Sequence, residues 1–350
     1  MPPPGWNPGF GPPMFRPKAP GGFLRLVLAV LLLVVLIDLI VVNLALLGGL
    51  AAATQEKKVR TETVVDSPGD QSIVAIPITG IIGDDTAAQF DQFLTTAQDD
   101  KNVKAVVLEI DTPGGSASAS DAMYHRLQRF KTEAKVPVIV AMGGMATSGG
   151  YYVACGADYI FAEPSTWTAN IGVLLPQFNI SELMDKYGVK ETTIVATGAD
   201  YKNLESMFQP ETPKGREYLQ GLVDAAFDQF KAVVNEGRKG LLPADTTDIF
   251  NGRVYSANDA LRLHLVDKIG YQEDAYEYAR TKAGVSAVKV VRYLPPTELQ
   301  KILGGDSILH LPGNKAQSPP SGITINGVSV DLRQLANLIA PRPMYLWRGN

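Results

Sequence analysis

Two short β-branched runs, each closing on a pair of glycines, constrain the fold more than any other feature of the chain. Val103–Ile110 (VKAVVLEI) leads into Asp111-Thr112-Pro113-Gly114-Gly115. Val136–Val140 breaks at Gly143-Gly144, shortly before Ser148-Gly149-Gly150. Apolar runs this short, bounded by Pro and Gly, read as strands buried on both faces. Ser118–Lys131 between them has a helical pattern, so strand, helix and strand follow at intervals that predict right-handed βαβ units and a largely parallel sheet. The pattern extends outward in both directions. Ile73–Ile78 and Ile81-Ile82 are strand-like and Ala87–Ala97 is an amphipathic helix. Ile160–Ala162, Ile171–Leu175 and Thr192–Thr197 are expected as further short strands. Pro213–Lys239 reads as a long helix with Leu219, Phe230 and Val234 on one face, and Ala257–Leu263 and Glu273–Ala283 as two more.

The glycine pairs also mark where chemistry fits. Glycines at strand ends allow close backbone approach and let N–H groups converge on an anion. Beside Ser148, that combination suggests a nucleophile with an oxyanion hole, the parts of acyl transfer. The plainer reading of Ser148 is an N-cap for the helix that starts there, with Tyr151, Tyr152, Ala154 and Cys155 packed behind it. Ser116, Ser118 and Ser120 read as loop and cap residues. A nucleophilic serine needs a base. His125 lies beside Arg126 and Arg129 on an expected solvent face, His264 sits among leucines and reads as packed, and His310 falls in an irregular tail. Lys186, Lys190, Lys202 and Lys214 are the lysine candidates, and composition does not choose among them.

Composition removes several classes. A formal charge of −4 with scattered Lys and Arg gives no footprint for nucleic acid. The single cysteine, Cys155, excludes an intramolecular disulfide framework and reads as a small buried apolar residue. The three histidines lie far apart with no metal-ligand spacing, so neither metal nor cofactor is expected.

The two ends of the chain differ from its middle. Residues 1–22 are rich in Pro and Gly and read as disordered. Residues 23–53 are overwhelmingly apolar, and a bilayer span needs only about 20 such residues. A signal peptide has an apolar region of about 7–15 residues, so an uncleaved single-pass anchor is the preferred reading. Arg16, Lys18 and Arg25 before the span favour a cytoplasmic N-terminus and an extracytoplasmic domain beyond it, against Lys57, Lys58 and Arg60 on the far side. Asp38 and Asn43 are polar breaks that suit contact with neighbouring helices. Residues 54–71 are expected as a linker, 72–296 as the catalytic domain and 297–350 as a C-terminal extension. Within the extension, Met344–Trp347 is expected either to pack on the core, the favoured reading, or to lie in a cleft as a substrate-like strand.

Four pieces of the chain, VKAVVLEIDTPGG, MATSGGYYVACGADYIFAEPSTWTANIGV, TGADYK and FNGRVYSANDALRLHLVDKIG, resemble the S49 peptidases in family order. The match is to the signal peptide peptidase A group, within the ClpP/crotonase superfamily. The resemblance implies an α/β fold with a ClpP/crotonase-like repeated ββα core and mainly parallel sheets, preceded by one transmembrane helix. It implies a serine endopeptidase with a Ser-Lys dyad, Ser148 as nucleophile and Lys202 as general base. The N–H groups of Gly115 (or Gly114) and Gly149 would hold the oxyanion. It further implies remnant signal peptides and other short or unfolded membrane-associated peptides as substrates, at the cytoplasmic membrane. Short members of the family form rings or domes in which the dyad is shared between protomers. Ala169-Asn170 stands where the family usually has Gly-Ser, and the resemblance casts Asn170 as a support for Lys202. His264 stands where the family usually has glycine, and Asp111-Thr112 replaces the commoner Asp/Asn-Ser. A free lysine has a pKa of about 10.4, so Lys202 must be desolvated to act as a base near neutral pH. The alternatives are a catalytically impaired scaffold of the same fold at the membrane and, less well suited to the Ser148 and Lys202 motifs, a crotonase-like acyl-CoA enzyme.

Overall fold

The computed structural model describes residues 22–54, 59–295, 322–325, 328–331 and 344–346. The segment 1–21, most of the extension and His310 lie outside the described residues. The chain divides into two units. In the first, helix α1 (Gly22–Thr54) carries a window, Leu26–Asn43, long and apolar enough to cross a membrane. Its one described side-chain hydrogen bond is local: Asn43 Nδ2 donates to Leu39 O at 2.8 Å.

The second unit is built on a nine-stranded sheet. Strand β1 (Arg60–Val65) arises inside the stretch expected as a linker. It is followed by β2 (Ser72–Thr79), α2 (Asp84–Asp99), β3 (Val103–Thr112), the short β4 (Gly114–Ser116), α3 (Ala117–Ala134) and β5 (Val138–Thr147). Next come α4 (Gly149–Ala154), β6 (Tyr159–Ala162), β7 (Trp167–Ala169), α5 (Ser181–Lys186) and α6 (Pro213–Gly237). The unit continues with β8 (Val254–Ser256), α7 (Ala257–Arg262), β9 (Lys268–Ile269), α8 (Gln272–Lys282) and β10 (Lys289–Leu294). The sheet order is β1-β10-β2-β3-β5-β6-β9, with β7 between β5 and β8. Only the β1–β10 and β7–β8 pairs are antiparallel. Three short strands complete the description: β11 (Gly322–Ile325) and β12 (Val328–Asp331) pair with each other, and β13 (Met344–Leu346) pairs with β4.

The period of two along a strand assigns each residue to one of two cores. Val106, Leu108 and Ile110 of β3 face the larger core with Phe93 and Leu94 of α2 and Leu127 and Phe130 of α3. Ala105 and Val107 face the other side, where Ala275, Tyr276 and Ala279 of α8 cover them. Small residues on the α8 side let that helix lie close to the sheet, while the α2–α3 side takes the large side chains. The sheet is thus buried on both faces, which is why its strands read as unbroken apolar runs.

Three expectations fail in instructive ways. β5 does not end at Gly143-Gly144 but runs through them to Thr147, pairing with β6 over 139–142 and with β7 over 145–147. The glycine pair is the point of exchange, where Asp111 Oδ1 accepts the Met145 N–H at 3.1 Å. Residues 171–175 and 192–197 are not strands. Both edges of β7 are already taken, by β5 and β8, and Ile194 is 95% exposed with no strand beside it among the described residues. His264 is exposed rather than packed, because its backbone turns at φ +56° just after α7.

Candidate active site

Ser148 sits between the end of β5 and the start of α4. Its backbone adopts φ +55° and ψ −114°, a region rarely used by residues other than glycine. The turn is held by two backbone bonds, Ser148 N–H to Ala169 O at 2.7 Å and Tyr152 N–H to Ser148 O at 2.9 Å. The side chain does not cap the helix, so the N-cap reading of this serine fails on its geometry. Ser148 is 1% exposed, and its Oγ is buried without a hydrogen-bond partner. Burying an unpaired hydroxyl costs about 1–3 kcal/mol. The site therefore holds strain and an unsatisfied polar atom at one residue.

β4 lies alongside. A Cβ built on Gly149 would come within 3.3 Å of Gly115 N and 3.4 Å of Gly114 Cα, so the two glycine pairs expected to cooperate are in contact. They are not equivalent donors. Thr112 Oγ1 donates to Gly80 O and accepts the Gly114 N–H at 3.0 Å, so that N–H is committed within its own turn. Gly114 itself is at φ +93°. On one edge of β4, Ile82 N–H donates to Gly114 O and Ser116 N–H donates to Ile82 O, both at 2.8 Å. That leaves the Gly115 N–H directed to the other edge. A side chain at Gly115 would collide with the Ile82 backbone, which explains why glycine stands there.

Ser120 is a residue the sequence did not single out for this role. It is fully buried, its Oγ donates to Ser116 O at 2.9 Å, and a Cβ on Gly149 would collide with that oxygen. It fixes the spacing between β4 and the first residue of α4. Ser116 is the N-cap of α3, its Oγ accepting the Ala119 N–H, while Ser118 lies in the first turn with its hydroxyl 2.9 Å from Ser116 Oγ. Behind the serine, Tyr152 OH donates to Asp121 Oδ1 at 2.7 Å and Tyr151 OH donates to Leu265 O at 2.8 Å, anchoring α4 from both sides.

The remaining candidates are more dispersed. Lys202 is exposed in the turn-rich stretch after α5, its N–H bonded to Ala199 O, and it makes no hydrogen bond to Ser148 Oγ within the chain. Lys214 lies over the Tyr201 ring at 4.3 Å from its centroid, and Lys186 and Lys190 are exposed. Asn170 donates from Nδ2 to Gly252 O at 2.5 Å, so its amide N–H is directed at a backbone carbonyl rather than toward Lys202. Ala169 and Asn170 are both left-handed, at φ +65° and +54°. Cys155 is buried as expected, and burial pushes its thiol up to about 12. Among the described residues no group of His, Cys, Asp and Glu is placed to hold a metal ion.

The sheet and its flanking helices define a ClpP-like protease fold. The family model described as Clp protease matches residues 58–167, and that described as Peptidase family S49 matches residues 130–286. An Enterococcus faecium protein named as a signal peptide peptidase SppA is 30% identical over 312 residues, covering 83% of this chain and 86% of that protein. A Synechocystis protein named as a protease is 33% identical over 242 residues, covering 68% and 85%. Among solved structures, the membrane-bound stomatin-specific protease 1510-N aligns over 65% of this chain and 100% of its own, with a TM-score of 0.42 and 20% identity. The chain belongs to peptidase family S49 and is a serine peptidase.

Proposed function

We propose that the protein is a membrane-anchored endopeptidase in which Ser148 is the nucleophile, Lys202 the general base, and the Gly115 and Gly149 N–H groups the oxyanion hole. The observation that carries this reading is the buried, unpartnered Oγ of a serine held at φ +55° against Gly115. In the reaction, neutral Lys202 takes the Ser148 proton as Oγ attacks the scissile carbonyl. The two glycine N–H groups receive the developing oxyanion, and the amine leaves with the proton from Lys202. Water then attacks the acyl-serine by the same route. Asn170, whose amide braces the backbone beside Ser148, supports the site by fixing Ala169 O rather than by touching Lys202.

Lys202 reaches Ser148 from a neighbouring protomer in this reading. Two observations support that: the lysine is exposed and unbonded to Ser148 in its own chain, and its segment exposes Phe178, Tyr187, Val189, Ile194 and Tyr201 to an extent that calls for a partner surface. Docking a second copy there would also strip water from Lys202, the desolvation that a lysine general base requires. Substrates are remnant signal peptides and other short, unfolded membrane-associated peptides, met at the bilayer by a domain outside the cytoplasm and anchored through α1. Labelling with a serine-reactive acylating probe tests the reading. Modification confined to Ser148, and lost in Ser148→Ala, is the expected result. No labelling in an assembled oligomer would leave a scaffold of the same fold.

A further inference from the structure

A second hydroxyl at the end of β5 shares the condition of Ser148. Thr147, the last residue of that strand, is fully buried, and its Oγ1 has no hydrogen-bond partner among the described residues. Its neighbour across the ladder, Ala169, offers no polar side-chain atom to satisfy it. Successive side chains of a strand leave on opposite faces, which would separate the oxygens of residues 147 and 148. The backbone of Ser148 cancels that alternation. A parallel strand has φ of about −120°, so the φ of +55° at Ser148 turns its Cβ about the N–Cα bond by nearly half a circle. The Ser148 side chain therefore leaves on the side of Thr147. Buried hydroxyls are ordinarily paired, and two neighbours left unpaired on one side call for a group that serves both.

A primary amine is such a group. In its neutral form it carries one lone pair and two N–H bonds, so it can accept from one hydroxyl while donating to the other. From this geometry we infer that Thr147 is a positioning residue for the lysine: its Oγ1 accepts an N–H of Lys202 Nζ and thereby aims the Nζ lone pair at Ser148 Oγ. The inference rests on the peptidase reading with Lys202 as base, whichever protomer supplies the lysine. Asn170 has its amide directed at Gly252 O, so the hydroxyl beside the nucleophile takes the orienting part. Thr147 exchanges no proton. It accepts the same N–H before transfer, when Nζ is a neutral amine, and afterwards, when Nζ has taken the Ser148 proton and become an ammonium. Without that restraint the lone pair is spread over rotation about the Cε–Nζ bond, and fewer encounters are productive.

The full chain, assembled in detergent, is compared as wild type, Thr147→Val and Thr147→Ser on an unstructured model peptide. Valine keeps the shape and removes the hydroxyl, whereas serine keeps the hydroxyl and removes the methyl. Thr147→Val is expected to lower kcat by about 10–100-fold with KM unchanged. It should melt no lower than wild type, because it sheds an orphaned oxygen. Thr147→Ser is expected to recover most of the lost rate. A raised KM at unchanged kcat in Thr147→Val would assign the hydroxyl to the peptide and overturn the role. Full activity in Thr147→Val would overturn it too, as would an equal loss in Thr147→Ser, the mark of methyl packing. Placement is checked in mixtures of Ser148→Ala and Lys202→Ala chains. Thr147→Val added to the Lys202→Ala chain, which supplies the working serine, should remove most of the recovered activity. Added to the Ser148→Ala chain, which supplies only the lysine, it should not. Loss in both arrangements, or failure of Thr147→Val to fold, would make the residue a general support of the fold and overturn the role. Wild type that neither cleaves nor acylates at Ser148 would sink the peptidase reading and this role with it. Wild type that cleaves, with no recovery in the mixture, would place the dyad in one chain and leave the valine and serine comparison to decide alone.

Discussion

Residues 72–170 and residues 171–210 are consecutive in the chain and opposite in character. The first stretch builds β2, β3 and β5, each with a partner on both edges, and buries nearly every apolar side chain it carries. The second has one short helix, α5, and leaves Phe178, Tyr187 and Ile194 in solvent. The serine side of the proposed dyad belongs to the first stretch and the lysine to the second. On the proposed dyad, one half of the chemistry would be fixed by the fold of a single chain, and the other half would wait for a surface supplied by a second copy.

The strongest way to break that comparison is kinetic. Ser148→Ala and Lys202→Ala are each expected to lower peptide cleavage by about 10⁴-fold or more, since members of a catalytic unit act together. Mixed in equal amounts, the two inactive chains should recover a fraction of the activity, measured as initial rate. No recovery would place both groups in one chain and erase the distinction between the two stretches. Next in size is stability. Leu108→Ala should cost about 2–5 kcal/mol in denaturant unfolding, because the side chain is fully buried among α2, α3 and the sheet. Ile194→Ser should leave unfolding within about 0.5 kcal/mol while shifting the sedimentation profile toward smaller species.

Cys155 sharpens the comparison from the packed side. Its folded thiol titrates near 12, whereas an unfolded one titrates near 8.5. Below about pH 8.5 both states keep the proton and stability is unaffected. As pH rises further the unfolded chain ionises first, so stability falls toward pH 12. The decline in melting temperature between pH 8 and pH 10.5 should be shallower in Cys155→Ala. The smallest effect belongs to His264, an L-residue at φ +56°. His264→Gly should raise stability by about 1 kcal/mol, read from the shift in denaturant midpoint.

How far the sequence led depended on whether a feature was local. β3, α3 and β5 were legible because their periods are clean and Pro and Gly mark their ends. β10 was not, since it pairs with β2, which lies more than two hundred residues earlier in the chain. Residues 171–175 looked like a strand because apolar side chains suit one, but pattern does not reveal whether an edge is free. Ser148 and the glycine pairs stood out by their placement near strand ends, and Gly149 does lie against Gly114 and Gly115. The capture of the Gly114 N–H by Thr112 and the approach of Ser120 to Gly149 depend on rotamers and through-space contact, which no spacing encodes. The family resemblance marked Ala169, Asn170 and His264 as departures from the usual residues. Their left-handed backbone supplies the reason glycine suits the first and third, and asparagine tolerates that conformation better than most at the second.

The lone hydroxyl of Ser148 has a consequence for durability. Folding of a single chain strips water from that oxygen and gives it no hydrogen-bond partner in return. The chain is therefore expected to be less robust to heat with this serine than without its hydroxyl, most of all before a second copy docks. Ser148→Ala, though inert, should melt several degrees higher, because it sheds the penalty and keeps the fold.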